Sequence, residues 1–277
     1  MKTCYIINFF LGGRRNNVKI FNVDKLCYVK SQIESLQKYK HSISKIIFSF
    51  NVEKEHYDLL SDAINIIPKY IQSSEVEINV RENYGMSYGA FSDMFVKYQN
   101  QFDYYIFNED DYVFVQDNFD EYLINKFNSL PNCGYLCGLV RESAFYVNIR
   151  HAGMSSGISS YDVLKKVYDK HGELPHSKGV DYESNEKKGQ TLQTATIREL
   201  GFEIFDIRDD YRLQFWSGDH IHFTDDGIIN IHFMWNKNDL LLPSTVYFND
   251  DYRWVDMIEK EFLRMESDYN SKKYFDY

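Results

Sequence analysis

Through about position 115 the chain alternates between apolar runs and amphipathic segments, and this alternation restricts the folds that it can adopt. Near-continuous apolar runs at 5–11 and 44–51 and an alternating run at 76–80 are typical of strands. Between them, apolar residues recur at helical spacing at 26–36 and 59–67. Strands that alternate with helices indicate βαβ units. The sequence therefore predicts an α/β fold with a mostly parallel central sheet flanked by helices.

The second half of the chain is less regular. The further predicted elements are strands at 103–107, 134–140, 202–207 and 228–234, and helices at 87–98, 161–168, 191–200 and 255–265. The polar stretch 172–190 is interpreted as a loop, and long loops often act as lids. We expect a single domain over 1–277, with halves at 1–140 and 141–250 and a C-terminal helix and tail at 251–277.

Charge and composition restrict the class of protein. The formal net charge of -10 argues against a nucleic-acid partner, because sequence-independent binding needs a basic surface to displace counterions. The four cysteines are interpreted as buried thiols, which suit a reducing compartment. No stretch reaches the ~18 apolar residues that a membrane-spanning helix needs. We expect a cytoplasmic protein without a transmembrane segment, for which peripheral membrane association stays open.

The most informative junction follows the predicted strand at 103–107, where the chain continues with Asn108, Glu109, Asp110 and Asp111. Adjacent carboxylates repel one another, so holding them together at a strand end costs stability unless a cation or donor groups compensate. Mg²⁺ or Mn²⁺ is a natural compensation, since these hard ions take oxygen ligands and share them with phosphate. The alternative is a solvated acidic turn.

In this stretch the sequence resembles the GT-A glycosyltransferases, especially the family 2-like group. The similarity lies in residues 104–111, with Glu109 at the place of the first aspartate of an Asp-x-Asp motif, and in Arg81-x-Asn83-x-Gly85 followed by Gly89. It covers roughly residues 3–140. The resemblance implies a nucleotide-sugar donor, such as a UDP-sugar, a glycan, lipid or protein acceptor, and a Mn²⁺ or Mg²⁺ cofactor.

The resemblance also implies roles for individual residues. Asp111 becomes the principal metal ligand, assisted by Glu109, and Asp110 faces the ribose or the donor sugar. A late histidine often completes the metal shell in such enzymes, and His232 is the candidate; a packed core histidine is the alternative. Donor binding is assigned to strand-end polar residues, each of which could instead be an ordinary turn residue or surface charge: Asn8, Asn51, Arg81 and Asn83.

An inverting transferase needs a carboxylate that takes the proton of the acceptor hydroxyl. By the resemblance this base lies shortly before the helix that ends near Gly201, which leaves Asp181, Glu183 and Glu186 as candidates. The acidic pair of the family is replaced here by Gly189 and Gln190, a departure that also admits a retaining enzyme without such a base.

Two other functions compete with glycosyl transfer. A sugar-phosphate nucleotidyltransferase would carry a glycine-rich basic segment after the first strand, and residues 12–15 (Gly-Gly-Arg-Arg) have a short version of it. A non-catalytic module that binds nucleotide sugars is the third possibility. The glycine-punctuated segment 151–157 suits an acceptor or donor-sugar loop, or a plain connection between elements.

Overall fold

The computed structural model describes residues 1–11, 26–110, 112–114, 117–137, 140–141, 151–206, 221–224 and 227–232. The strands in these ranges are β1 (Thr3–Leu11), β2 (Lys45–Val52), β3 (Tyr70–Ile71), β4 (Ser74–Glu82), β5 (Tyr104–Glu109), β6 (Tyr112–Phe114), β7 (Cys133–Cys137), β8 (Val140–Arg141), β9 (His151–Ala152), β10 (Ser156–Ser160), β11 (Glu203–Asp206), β12 (Ile221–Thr224) and β13 (Gly227–His232). The α-helices are α1 (Cys27–Lys38), α2 (Tyr57–Ile66), α3 (Met86–Lys97), α4 (Phe119–Ser129), α5 (Tyr161–His171), α6 (Tyr182–Asn185) and α7 (Gln193–Glu199). A 3-10 turn covers Lys54–His56, and a π-helical segment, Glu186–Leu192, joins α6 to α7.

The main sheet has the strand order β11-β7-β10-β5-β1-β2-β4-β3. Strands β1, β2, β4 and β5 are parallel, β10 is antiparallel to both β5 and β7, and β11 is parallel to β7. The predicted α/β architecture, a mostly parallel Rossmann-like sheet flanked by helices, is confirmed. Strand β1 lies between β2 and β5, so the strand order reverses there, and ligands bind at the carboxyl ends beside such a switch point.

Helices cover both faces of the sheet because the central strands are apolar on both sides. Along β1, Tyr5, Ile7 and Phe9 pack in one core with residues of α1, α2 and α4, whereas Cys4 and Ile6 pack in a second core with residues of α3, α5 and α7. Each buried side chain of this size contributes about 1.5–3 kcal/mol relative to an exposed one. The two cores hold the carboxyl ends of β1, β2, β4 and β5 in one rigid edge.

Strand β5 is longer than predicted. The prediction ended it at Phe107, but Asn108 and Glu109 also pair with β1, opposite Ile7 and Asn8. Asn and Glu have low strand propensity, which hides such an end in the sequence, and pairing with the neighbouring strand overrides that propensity. Glu109 is therefore the last residue of a central strand and not part of the turn after it.

The interpretation of 172–190 as a loop was wrong for its second half. Helix α6 begins at Tyr182, and helical structure continues from there through the π-helical segment into α7. Asp181 Oδ1 accepts the backbone N–H of Ser184 at 2.8 Å, which is the contact of a helix N-cap. The helix was missed because its residues are mostly polar and apolar residues do not recur in it at helical spacing.

The segment 151–157 is not a plain loop either. It contains β9 and the first residues of β10, a central strand of the sheet. A Cβ on Gly157 would lie 2.5 Å from Tyr135 Cε1 and 2.6 Å from the Leu136 carbonyl oxygen. The glycine therefore permits close strand packing, a reason that sequence analysis did not consider.

Helix α3 begins at Met86, one residue before the predicted start, and β7 ends at Cys137 rather than at 140. Helix α4 and strand β10 were not predicted at all. The predicted helix at 255–265 and the tail to 277 lie outside the described residues. Among the helices that are described, none has the length and apolar character needed to cross a membrane.

Candidate functional site

A row of polar side chains crosses four strands on the α3 face of the sheet, near their carboxyl ends. The strand registers place Asn79, Ser49, Asn8 and Glu109 side by side on β4, β2, β1 and β5. Asn79 Nδ2 donates to Ser49 Oγ at 3.0 Å. Asn8 is only 5% exposed, and its Oδ1 has no hydrogen-bond partner among the described residues. A buried acceptor without a donor costs about 1–3 kcal/mol, so this oxygen is suited to receive a ligand donor or cation.

The two described carboxylates at the end of β5 are held by different elements. Glu109 Oε1 accepts the hydroxyl of Ser87, in the first turn of α3, at 2.6 Å. Asp110 is buried, its Oδ2 accepts the backbone N–H of Phe10 at 3.3 Å, and its own N–H donates to the carbonyl of Asn8 at 2.9 Å. The end of β1 and the acidic turn are thus tied together. Asp111, the third carboxylate, lies outside the described residues.

The opposite face of this turn is fixed by a buried hydrogen-bond network that sequence analysis missed. Asn108 Nδ2 donates to the Tyr5 hydroxyl at 2.7 Å and to the carbonyl of Tyr112 at 2.9 Å. Gln32 Nε2, from α1, donates to the carbonyl of Asp110 at 3.1 Å. Burial raises the pKa of Tyr5 well above its usual range, so this hydroxyl stays neutral. The network holds both ends of the acidic turn in place.

Arg81 and Asn51, two predicted donor-binding residues, are in direct contact. Arg81 Nη1 donates to Asn51 Oδ1 at 2.6 Å, Arg81 Nε lies 3.0 Å from Asp93 Oδ2, and the guanidinium lies 4.0 Å from the ring centroid of Tyr84. A Cβ on Gly89 would lie 2.9 Å from Arg81 Nη2, so the glycine makes room for the arginine. Arg81 is rigidly oriented, and part of its charge is offset by Asp93.

The turn before α3 has an unusual backbone and lies against residues 176–179. Gly85 has φ 67° and Met86 has φ 51°, so a non-glycine residue also adopts the left-handed region. The N–H of Gly85 donates to the carbonyl of Gly179 at 2.9 Å, and a Cβ on Gly85 would lie 2.5 Å from His176 Cδ2. Asn83 is next to this turn, and its buried Oδ1 has no partner within the described part of the chain.

Two of the three predicted bases have structural contacts at the surface. Asp181 is exposed and caps α6, and the hydrogen bonds from Ser184 lower the pKa of its carboxyl. Glu183 is also exposed, with its Oε1 2.5 Å from Lys187 Nζ. These contacts give both carboxylates an ordinary role in helix α6 and the π-helical segment.

Glu186 differs, because it contacts the first turn of α3. The Tyr88 hydroxyl donates to Glu186 Oε1 at 3.0 Å, and Gln190 Nε2 donates to the same oxygen at 2.7 Å and to Tyr88 Oη at 2.6 Å. A Cβ on Gly189 would lie 2.3 Å from Tyr88 Cγ, so the ring packs directly on this glycine. Gly189 thus lies against Tyr88, and Gln190 contacts both Tyr88 and Glu186.

The structure describes only part of the predicted metal site. No group of three or more His, Cys, Asp or Glu side chains suited to a metal occurs among the residues whose side chains the structure describes. The backbone of His232 ends β13 and pairs with Tyr112, the residue after Asp111 in the sequence. The side chain of His232 is not among those described. The carboxylate oxygens of Glu109 and Asp110 are of the hard type that Mg²⁺ and Mn²⁺ prefer.

The sequence matches no known protein-family model, and no curated protein gives a significant match. Similar solved structures include a cytidylyltransferase from Leptospira borgpetersenii, at 13% identity and TM-score 0.46, covering 74% of this chain and 75% of that one. CMP:2-keto-3-deoxy-manno-octonic acid synthetase complexed with CTP has 13% identity and TM-score 0.46, with 74% and 89% covered. Mouse xyloside xylosyltransferase 1 has 8% identity and TM-score 0.38, with 74% and 84% covered. Nucleotidyl and glycosyl transferases both occur among these structures, and similarity this low does not assign an activity.

Proposed function

We propose that the protein is a glycosyltransferase that moves a sugar from a nucleotide-diphosphate donor, such as a UDP-sugar, to a hydroxyl of a glycan, lipid or protein acceptor. One observation carries the proposal. Ser87 and Tyr88 are consecutive residues of α3, and they contact two separate carboxylates, Glu109 at the end of β5 and Glu186 in the π-helical segment. The site thus has one carboxylate group beside the switch point and another that can accept a proton.

This division between two carboxylates favours glycosyl transfer over nucleotidyl transfer. An acceptor hydroxyl must lose its proton as it attacks, and a positioned carboxylate is the usual recipient. A sugar phosphate that attacks a nucleoside triphosphate needs no such base, because phosphate is already mostly ionised at pH 7 (its second pKa is about 6). A proton acceptor such as Glu186 is therefore needed only for glycosyl transfer.

In the proposed step the acceptor oxygen attacks the anomeric carbon and its proton passes to a carboxylate oxygen of Glu186. The bond from that carbon to the diphosphate oxygen breaks, and its electron pair leaves with the nucleoside diphosphate. Asn8, Asn51, Arg81 and Asn83 would orient the donor, with Asp110 on the ribose or sugar. Mn²⁺ or Mg²⁺, held by Glu109, Asp111 and His232, would stabilise the charge on the leaving diphosphate.

A nucleotidyltransferase is the second candidate, and one observation favours it. Strand β1 ends at Leu11, so residues 12–15 (Gly-Gly-Arg-Arg) follow directly from the carboxyl edge of the sheet, although they lie outside the described residues. A basic segment there could neutralise a triphosphate.

The products of the reaction separate the two functions. We would incubate the protein with Mn²⁺ and a panel of nucleotide sugars and acceptors, and in parallel with nucleoside triphosphates and sugar phosphates. Release of nucleoside diphosphate that depends on the acceptor supports glycosyl transfer. Release of pyrophosphate supports nucleotidyl transfer instead. Binding of a nucleotide sugar without turnover on any acceptor would point to a non-catalytic module.

A further inference from the structure

We propose that Tyr88 and Gln190 are positioning residues for Glu186, whose hydrogen bonds hold its carboxylate in the orientation that receives the acceptor proton. The inference rests on the proposed glycosyltransferase activity. It supports Glu186, rather than Asp181 or Glu183, as the carboxylate that receives the acceptor proton, and it gives a purpose to Gln190, which the sequence marked only as a departure from the resemblance.

The orientation of the Gln190 amide follows from its neighbours. The amide nitrogen lies 2.7 Å from Glu186 Oε1, and turning the amide over would place two oxygen acceptors against each other. The nitrogen therefore faces the carboxylate. The oxygen, Gln190 Oε1, then faces away, and it is buried without a hydrogen-bond partner among the described residues. Gln190 is 2% exposed. In this orientation the amide N–H groups face Glu186 and Tyr88, and the amide oxygen is left without a donor among the described residues.

Tyr88 completes the arrangement from the opposite side. Its hydroxyl accepts a hydrogen bond from Gln190 and donates its own proton to Glu186, so the three groups close a ring of hydrogen bonds. Glu186 Oε1 therefore receives two donors. Two hydrogen bonds to one carboxylate oxygen restrict the rotation of the group and fix the direction in which it faces.

The helix geometry explains why a glycine and an amide occur here. Glu186 and Gln190 are four positions apart and lie on one face of the helical segment. The intervening turn is π-helical, and π-turns inside helices frequently occur at functional sites. Gly189 has no side chain to keep the Tyr88 ring away, since a Cβ there would lie 2.3 to 2.6 Å from three ring carbons. Any side chain at 189 would therefore displace the Tyr88 ring and, with it, the hydroxyl that contacts Glu186.

A structural role for Tyr88 and Gln190 makes a different prediction from a positioning role. If they only pack α3 against the π-helical segment, their loss would lower stability and donor binding whether or not Glu186 is present. If they act through the Glu186 carboxylate, their loss would lower kcat, and it would do so only while that carboxylate is present.

The test is a double-mutant cycle on the intact chain. Tyr88→Phe and Gln190→Leu are each combined with Glu186→Gln, and kcat, the KM for the donor and the melting temperature are measured for every variant. Both substitutions keep the side-chain volume, so folding is expected to survive; Gln190→Met serves if Gln190→Leu does not fold. Tyr104→Phe is the matched control, because the Tyr104 hydroxyl contacts Asn128 Oδ1 at the exposed start of β5, 2.7 Å away.

We expect Tyr88→Phe and Gln190→Leu each to lower kcat by about tenfold or more, with the donor KM changed by less than about twofold. In the Glu186→Gln background, neither substitution should lower kcat further. Equal losses with and without the carboxylate, or an unchanged kcat in both single variants, would overturn the inference. Wild-type protein that releases no nucleoside diphosphate with any donor would instead overturn the proposed function, a result that the wild-type assay gives by itself.

Discussion

The hydroxyl of Ser87 lies 2.6 Å from Oε1 of Glu109, although 22 positions separate the two residues in the chain. The contact joins the first turn of α3 to the last residue of β5. It also places a carboxylate near the positive end of the helix dipole, an arrangement that stabilises negative charge. Since Tyr88 follows Ser87 and contacts Glu186, a small movement of this turn would displace both carboxylates together.

Ser87→Ala tests whether this contact supports metal-dependent nucleotide binding. The substitution removes the hydrogen bond to Glu109 and leaves the carboxylate itself in place. Loss of a partner that orients a ligand residue typically costs about 10-fold or more in metal affinity. We therefore expect the concentration of Mn²⁺ that gives half-maximal UDP binding, measured by titration calorimetry, to rise about 10-fold.

Ser129→Ala is the matched control, because the Ser129 hydroxyl donates to the Lys126 carbonyl on the exposed end of α4, 2.8 Å away. It should leave the Mn²⁺ requirement unchanged. An unchanged requirement in Ser87→Ala as well would mean that the Ser87 hydrogen bond does not support metal binding by Glu109.

Gly89→Ala tests the tight packing that fixes Arg81. A Cβ at this position would lie 2.4 Å from the Tyr84 carbonyl oxygen and 2.9 Å from Arg81 Nη2, so the backbone or the guanidinium must move. Overpacking of this kind costs about 1–3 kcal/mol. We expect that loss in the free energy of unfolding, measured by urea denaturation, together with weaker nucleotide binding.

Gly179→Ala is the control for Gly89→Ala, since the atoms nearest to its added Cβ would be 3.9 Å away. Its free energy of unfolding should stay within about 0.5 kcal/mol of wild type. Equal stability of the two alanine variants would show that the Arg81 pocket tolerates the methyl group.

The sequence was sufficient to predict the parallel half of the sheet, because β1 and β2 are apolar on both faces and the helices that follow them, α1 and α2, are amphipathic. It also placed Asn8, Asn51, Arg81 and Glu109 at one edge, since the carboxyl ends of parallel strands share that edge. It could not predict the partners of these residues. The contacts of Asn51 with Arg81 and of Glu109 with Ser87 join different elements, and they depend on strand register and helix placement that local patterns do not contain.

The antiparallel half was harder to predict for a physical reason. Strand β10 consists of small residues, Ser-Gly-Ile-Ser-Ser, whose role is to fit between β5 and β7, and such a strand has little apolar signal of its own. The helix that carries Glu186 was hidden for the same reason. Its buried face uses Asn185, Gly189 and Gln190, which are polar or small residues and are typical of loops in an isolated sequence.

The buried thiols give a prediction about pH. Burial raises the pKa of Cys133 to about 12 and that of Cys4 still further, and Cys137 is likewise buried. In the folded protein the thiols of Cys4 and Cys133 stay protonated at pH 9, whereas in the unfolded chain they begin to ionise near their usual pKa of about 8.5. The contribution of these two thiols to the free energy of unfolding is fully present below about pH 8.5. It is lost as the pH rises toward 12, by up to about 1.4 kcal/mol per thiol and pH unit.

The measurement uses a Cys27→Ser variant, because the side chain of Cys27 is not among those described. We expect no reaction with a thiol reagent at pH 8 in the native state, and three thiols after denaturation. We also expect the free energy of unfolding to fall between pH 9 and 11. Rapid labelling of the native variant would contradict the burial of these cysteines.

Asp111→Asn is the substitution that tests the predicted metal site most directly. Asp111 lies outside the described residues, but its neighbours in the sequence are held in place: Asp110 by the backbone of β1, and Tyr112 by its pairing with His232 in β13. The variant keeps the size of the side chain and removes one of three adjacent negative charges. The fold should therefore survive, and the melting temperature of the metal-free protein should stay the same or rise, because repulsion decreases.

Nucleotide binding by Asp111→Asn should decrease, although the stability of the metal-free protein should not. In wild-type protein, UDP with Mn²⁺ should raise the melting temperature, since a ligand that binds the native state stabilises it by RT ln(1 + [L]/Kd), and excess chelator should abolish the shift. In Asp111→Asn both the shift and sugar transfer should be lost, because the diphosphate then meets the remaining carboxylates without a bridging cation. Asp62→Asn, on the exposed side of α2, is the control and should behave as wild type. An Asp111→Asn protein that retains transfer, or a wild-type shift that persists in chelator, would exclude a metal bridge at this turn.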